Sequence, residues 1–218
     1  MSFWTPAQVK QVLVQTKEEK EKEAGAKGGG KVEPPKAKPL VTGDDFSDTE
    51  RAGLQAAVKF AKEHAKKAHV FIKEANDYEA ADKVAQVRKW FGKGWDGPFM
   101  NNIQEVYRAI EAQADVKFLV KYKEGGDAQM QTGVSEDTVY AWTDFGKKEI
   151  VLCPKFFSAE EDIQGYCILH EMSHFVNQNV VDETNYGAAN AEEFARGDGA
   201  RDTYTNAYSY QYFAESLK

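Results

Sequence analysis

The sequence predicts an α+β domain, mostly helical, with a small β-sheet packed beside one functional helix. Three observations carry this prediction. Ser47-Asp48-Thr49-Glu50 has the spacing of a capping box, and Leu54, Ala57, Val58, Ala61, Ala65, Ala68 and Ile72 follow it at helical intervals. Between residues 116 and 152 the pattern changes to short, nearly alternating, β-rich runs. Ser158-Ala159-Glu160-Glu161 then repeats the capping-box spacing and opens a helix from Ile163 to about Val176.

Taken in order, residues 6–24 read as a charged helix with Val9, Val12, Leu13 and Thr16 on one side. So thin an apolar stripe suits a solvated, partly frayed helix. The sharper alternative is a docking segment for a delivery partner. Residues 25–43 hold Gly28-Gly29-Gly30, Pro34-Pro35 and Pro39, which free or stiffen the backbone without building a core. The expected organisation is a helix over 1–24, a linker over 25–43 and one domain over 44–218.

Within that domain, His64 and His69 lie five apart on the first helix, so they do not share a face cleanly and read as structural or surface residues. A second helix spans about 80–91 and ends in Arg88-Lys89-Trp90-Phe91-Gly92. Pro98 opens a third, carrying Phe99, Ile103, Val106, Tyr107 and Ile110. Residues 116–122, 138–142 and 149–152 read as strands. Gly125-Gly126 breaks the first of these, and a turn around Asp144-Phe145-Gly146 joins the other two.

The bulk numbers exclude several classes. The 218 residues are 42% hydrophobic and 29% charged, ordinary for a globular protein. A formal net charge of −7 leaves no basic surplus for nucleic-acid phosphates. No apolar run is long enough to span a bilayer. No secretory signal is visible at the start. The expected location is therefore cytoplasmic, or outside the cell by a route independent of a signal peptide. Cys153 and Cys167 are too few for a disulfide scaffold and are expected to be buried free thiols.

The chemistry centres on His170-Glu171-Met172-Ser173-His174. Histidines four apart on a helix project from one face and offer a rigid pair of imidazoles to a divalent zinc. Glu171 follows the first of them, beside the metal rather than aimed at it. There it can take a proton from a metal-activated water and later pass it to the leaving amine. Two surface histidines flanking a glutamate would be the bland account of these five residues.

The residues downstream weigh against that account. The stretch from His170 through Val180-Val181-Asp182-Glu183-Thr184-Asn185-Tyr186-Gly187 resembles the aspzincins, the family of deuterolysin and the peptidyl-Lys metallopeptidases. Their pattern is HExxH followed by GTxDxxYG. Arg88-Lys89-Trp90-Phe91-Gly92, residues 150–157 and residues 206–215 are similar to further blocks of that family, so the resemblance covers roughly 50–218. It implies a zincin-like metallopeptidase fold, a zinc ion, and a protein or peptide substrate. It also implies His170 and His174 as ligands, Glu171 as general base and Tyr186 as oxyanion donor.

This chain departs from the family in three places. The family's third ligand, an Asp, falls on Glu183 when counted back from Tyr186-Gly187, with Asp182 as the alternate; Val180-Val181 replace the usual Gly-Thr. The two acids that receive lysine in lysine-specific members fall on Tyr208 and Gln211, so the expected pocket is uncharged or apolar. Cys153 lacks the disulfide partner of the secreted members. The function expected is a zinc metalloendopeptidase, delivered as a toxin or effector if the N-terminal segment serves that purpose. The alternatives are a catalytically silent metal-binding relative acting as a binding module, and a zinc amidase on cell-wall peptides.

Overall fold

The structure, a computed structural model, describes residues 46–78, 81–92, 99–113, 119–122, 139–182, 187–197 and 203–217. The chain divides into units Met1–Lys38 and Pro39–Lys218, and every described residue belongs to the second. The expected N-terminal helix, the linker and the Gly125-Gly126 break lie outside the described residues.

Helix α1 (Asp48–Tyr78) starts at the capping box that the sequence predicts. The Ser47 amide donates to Glu50 Oε2 at 2.8 Å, and the Glu50 amide donates to Ser47 Oγ at 3.3 Å. Its predicted stripe from Leu54 to Ile72 is buried throughout. Four alanines in that stripe keep the surface flat, so neighbouring helices can approach closely. Helices α2 (Ala81–Phe91) and α3 (Phe99–Ala112) pack on α1 and match the predicted helices closely.

A three-stranded sheet follows, made of β1 (Leu119–Lys121), β2 (Ala141–Asp144) and β3 (Glu149–Leu152), in the order β1-β3-β2. The central strand β3 runs parallel to β1, with Leu119 opposite Ile150. It runs antiparallel to β2, with Thr143 opposite Ile150. Ile150, Val151 and Leu152 are buried, as expected for a strand covered on both faces. The β2–β3 turn is tight: Asp144 Oδ1 accepts the Lys147 amide at 3.0 Å, and Lys148 adopts a left-handed φ of 56°. The predicted strand over 138–142 thus sits later in the chain, and the turn is displaced with it.

After β3 come α4 (Pro154–Phe157), α5 (Glu161–Val176), α6 (Ala188–Arg196), a 3-10 turn (Thr203–Thr205) and α7 (Ala207–Glu215). The second predicted capping box does not form. Proline at the first position starts the short α4 instead, and Ser158 ends it, with its hydroxyl donating back to the Lys155 carbonyl at 3.0 Å. Gln164 restrains the join, its Nε2 donating to the carbonyls of Phe156 (3.0 Å) and Ala159 (3.1 Å). Glu161 and Asp162 lie in the first turn of α5, where acids complement the helix dipole.

Helix α5 is the spine of the domain, touching α1, α3, α7, β2 and β3. It meets α1 at Gly165, where a Cβ would stand 2.2 Å from the Phe60 ring. That ring is itself stacked on His64 at 4.0 Å and edge-on to Tyr166 at 4.9 Å, so it has little room to yield. On the other side of the core, Phe91, Tyr107, Tyr210 and Phe213 pack as edge-to-face and tilted pairs. The Tyr107 hydroxyl donates to the Tyr210 carbonyl at 2.7 Å and binds α3 to α7. Cys153 and Cys167 are both free thiols, and burial holds the Cys167 thiol well above the usual range. Among the described residues, no helix is long and apolar enough to cross a membrane.

Two predictions concern this frame. Gly165→Ala should lower unfolding stability by about 1–3 kcal/mol through overpacking against Phe60, as read by urea denaturation. The second concerns Glu50, whose Oε1 accepts Lys121 Nζ at 2.6 Å and ties β1 to the start of α1. That bond, together with the Ser47 amide, draws the Glu50 carboxyl down from 4.5 to about 2. A carboxyl with a folded-state pKa below its unfolded value stabilises fully above the unfolded value, and this is lost as pH falls through the folded one. Glu50→Gln keeps a capping-box residue but removes the charge. The stability gap between wild type and this variant should therefore be full near neutrality and close between pH 4.5 and 2.

Candidate metal centre

His170 and His174 lie one turn apart on α5, both buried, with their Nε2 atoms 3.3 Å apart. The His174 Nδ1 lies 2.7 Å from the Val180 carbonyl. A carbonyl only accepts, so Nδ1 carries the hydrogen and the Nε2 lone pair is left facing the site. The segment holding that carbonyl is anchored in turn. The Val180 amide donates to Asn177 O at 2.8 Å, the Val181 amide to Thr205 O at 2.7 Å, and the Ala207 amide to Val181 O at 3.0 Å. Asp182 follows directly, and its Oδ1 stands 3.1 Å from His170 Nε2 and 3.4 Å from His174 Nε2.

These three separations can be tested against zinc. A tetrahedron with arms of about 2.0 Å has edges of about 3.3 Å. The observed edges of 3.1, 3.3 and 3.4 Å match that size. His170, His174 and Asp182 thus form a donor set that fits zinc in size and ligand type, and no other group of three such side chains is found among the described residues. The Asp182 side chain is 47% exposed, so the set opens to solvent on that side. This leaves room for a fourth ligand.

The charges inside the set favour a cation. Burial opposes charge on His174, but the hydrogen bond it donates to Asp182 when protonated and the charges of Glu171 and Asp182 outweigh it and raise this histidine to about 8. Burial also opposes the Asp182 carboxylate, yet the two imidazoles hold its carboxyl well below the usual range. Without a metal, the cluster therefore gathers a proton. A divalent ion competes for the same place.

Glu171 is 6% exposed and faces β2. Thr143 Oγ1 lies 2.7 Å from Glu171 Oε2 and 3.1 Å from the Glu171 carbonyl. Aromatic rings flank both histidines. Phe145, in the β2–β3 turn and 43% exposed, stands edge-on to His174 with centroids 6.2 Å apart. Tyr208 on α7 packs at 4.5 Å against His170, and Tyr212 stacks behind it at 6.1 Å. No described residue makes a hydrogen bond to the buried His170 Nδ1, so the polar partners of this ring lie on its Nε2 side.

Of the residues predicted from the sequence, His170, Glu171, His174, Asp182 and Tyr208 come together here. Gln211 is half-buried on the same helix as Tyr208. Tyr208 is 4% exposed, so it forms a wall behind His170 rather than open pocket surface. Glu183 and Tyr186 lie outside the described residues. Gly187, immediately after them, caps α6 with a φ of 116°, a conformation that L side chains rarely adopt. Thr143 and Phe145 are additions of the structure. Their signal in the sequence was a strand read as ending two residues too early and a turn read only as a turn.

The aspzincin family model, described as lysine-specific metallo-endopeptidase, matches residues 75–215, well over half of the chain. The peptidyl-Lys metalloendopeptidase of Pleurotus ostreatus is 37% identical over 70 residues, which are 31% of this chain and 41% of that protein. The extracellular protease of Aeromonas hydrophila is 29% identical over 147 residues, 65% of this chain and 39% of that protein. The chain thus spans about two fifths of each of these relatives. Among solved structures, a zinc peptidase from Grifola frondosa superposes with a TM-score of 0.61 at 21% identity, covering 78% of this chain and 97% of its own, a likeness of fold. With the family match running from the end of α1 to the end of α7, across the helix that bears both histidines, the chain belongs to the aspzincin family of zinc metallopeptidases.

Proposed function

We propose that this chain is a zinc-dependent endopeptidase in which His170, His174 and Asp182 hold the metal and Glu171 is the general base. The observation that carries this reading is the zinc-sized triangle of donors beside a buried carboxylate. Zinc held there would supply a Lewis acid for the scissile carbonyl and would bring the pKa of a water towards neutrality. The chain's own residues do the rest. Glu171 takes the proton of the attacking water and returns it to the leaving amine. The buried His174 keeps its lone pair on the metal side through its bond to Val180. Tyr186, carried over from the family pattern, is assigned as the hydrogen-bond donor to the developing oxyanion.

Asp182 is preferred to Glu183, which reverses the preference reached by counting along the motif. Two observations support the change: the 3.1 and 3.4 Å approaches of Asp182, and the backbone bonds on Val180 and Val181 that fix where residue 182 emerges. Specificity is proposed to differ from the lysine preference in the family's description. Neither Tyr208 nor Gln211 carries a carboxylate to pair with an ammonium group, and the exposed Phe145 ring stands beside His174, so an uncharged or apolar side chain is the preferred guest. Residues 1–43 suit a docking element for a delivery partner, which would make the domain an exported effector.

Two experiments test these assignments. Zinc content and casein cleavage should both be lost in Asp182→Ala and kept in Glu183→Ala. Glu171→Ala should keep its zinc and lose activity by about a hundredfold or more. A wild type that binds zinc but cleaves no protein or peptide would favour the silent, binding relative. On a peptide library, cleavage should favour apolar residues at the selected position. Clustering before lysine would overturn the specificity reading.

A further inference from the structure

We infer that Thr143 is a positioning residue for Glu171; the inference rests on the proposed role of Glu171 as base. A glutamate reaches its target through three flexible torsions, and general-base work requires the carboxylate to stay within hydrogen-bond reach of the proton it takes. Thr143 restricts that freedom. Its hydroxyl has one proton and two acceptors within reach, Oε2 at 2.7 Å and the Glu171 carbonyl at 3.1 Å. The shorter contact, to the carboxyl oxygen, takes the proton. Among the described residues this is the one hydrogen bond made to the Glu171 carboxylate, so Oε2 is tethered and Oε1 is left to accept the substrate water's proton.

The tether is rigid because of where it is built. Thr143 pairs with Ile150 on the buried central strand β3, and the β2–β3 turn closes after the next pair, Asp144 with Glu149. Threonine is β-branched, so its χ1 is restricted and the hydroxyl keeps its direction. The hydroxyl also lies beside the backbone of the residue it holds, so β2 and α5 are set against each other at the base itself. The aim of Glu171 is thereby decided by a strand residue 28 positions away in the chain.

The test compares Thr143→Val, which keeps the shape and removes the hydroxyl, with Thr143→Ser, which keeps the hydroxyl, both in the zinc-loaded full chain. Thr143→Val should lower kcat about tenfold to a hundredfold with KM within about twofold, and with zinc content and melting temperature unchanged. Thr143→Ser should recover most of kcat. Crystal structures should show the Glu171 carboxylate in more than one rotamer in Thr143→Val and in one in Thr143→Ser, with His170, His174 and Asp182 unmoved in both. Unchanged kcat in Thr143→Val, a fall in zinc content along with kcat, or no recovery in Thr143→Ser would overturn the proposal. A wild type without peptidase activity would refute the role of Glu171 as base. The rotamer comparison would still decide whether Thr143 aims its side chain, and a single unchanged rotamer in Thr143→Val would refute it.

Discussion

The hydrogen bond between His174 Nδ1 and the Val180 carbonyl, 2.7 Å long, meets two demands at once. It gives the imidazole its tautomer, so that Nε2 can donate a lone pair. It also fixes, relative to α5, the backbone from which the third candidate ligand emerges. Both are needed for the donors to converge, because a helix alone supplies only two ligands on one face. The third must arrive from elsewhere in the chain and at the right height. Residues 180 and 181 achieve this with their main-chain groups only: one bond to the helix histidine, one to the end of the helix at Asn177, one to the 3-10 turn at Thr205 and one to the start of α7 at Ala207.

The rest of the domain holds that arrangement still. Helix α5 is clamped from behind by α1, whose alanine-rich face and the side-chain-free Gly165 let the two helices come close. The sheet presents β2 to the other side of α5, where Thr143 reaches Glu171 and Phe145 stands edge-on to His174. Helix α7 closes the third side with Tyr208 against His170. The site is therefore a meeting point of three layers around one helix. Its electrostatics follow from geometry: two imidazoles draw the Asp182 carboxyl down, and the neighbouring carboxylates draw His174 up against the effect of burial.

Much of this was legible in the sequence, and the parts that were not have physical reasons. The stripe from Leu54 to Ile72 and the Ser47–Glu50 box are local signals, and the helix follows them. The box at Ser158–Glu161 uses the same letters but fails, because Pro154 nucleates a short helix that takes Ser158 as its end. The placement of the two histidines was legible since helical spacing alone sets their common direction, with Glu171 one residue to the side of it. The third donor was legible only as a choice between Glu183 and Asp182, because counting back from Tyr186 assumes an unchanged loop, whereas the position of residue 182 is set by backbone bonds that carry no side-chain signature. Thr143 escaped notice for a related reason: its role depends on a strand register that only the β2–β3 pairing defines.

The central claim is that the His174–Val180 clamp delivers Asp182, not its neighbour, to a zinc site. It is tested most directly by a crystal structure of the zinc-loaded protein with anomalous data collected at the zinc edge. The account predicts one strong peak bonded to His170 Nε2, His174 Nε2 and Asp182 Oδ1, with His174 Nδ1 still on the Val180 carbonyl. A peak coordinated by Glu183 with Asp182 turned away, or no zinc between the two histidines, would contradict it.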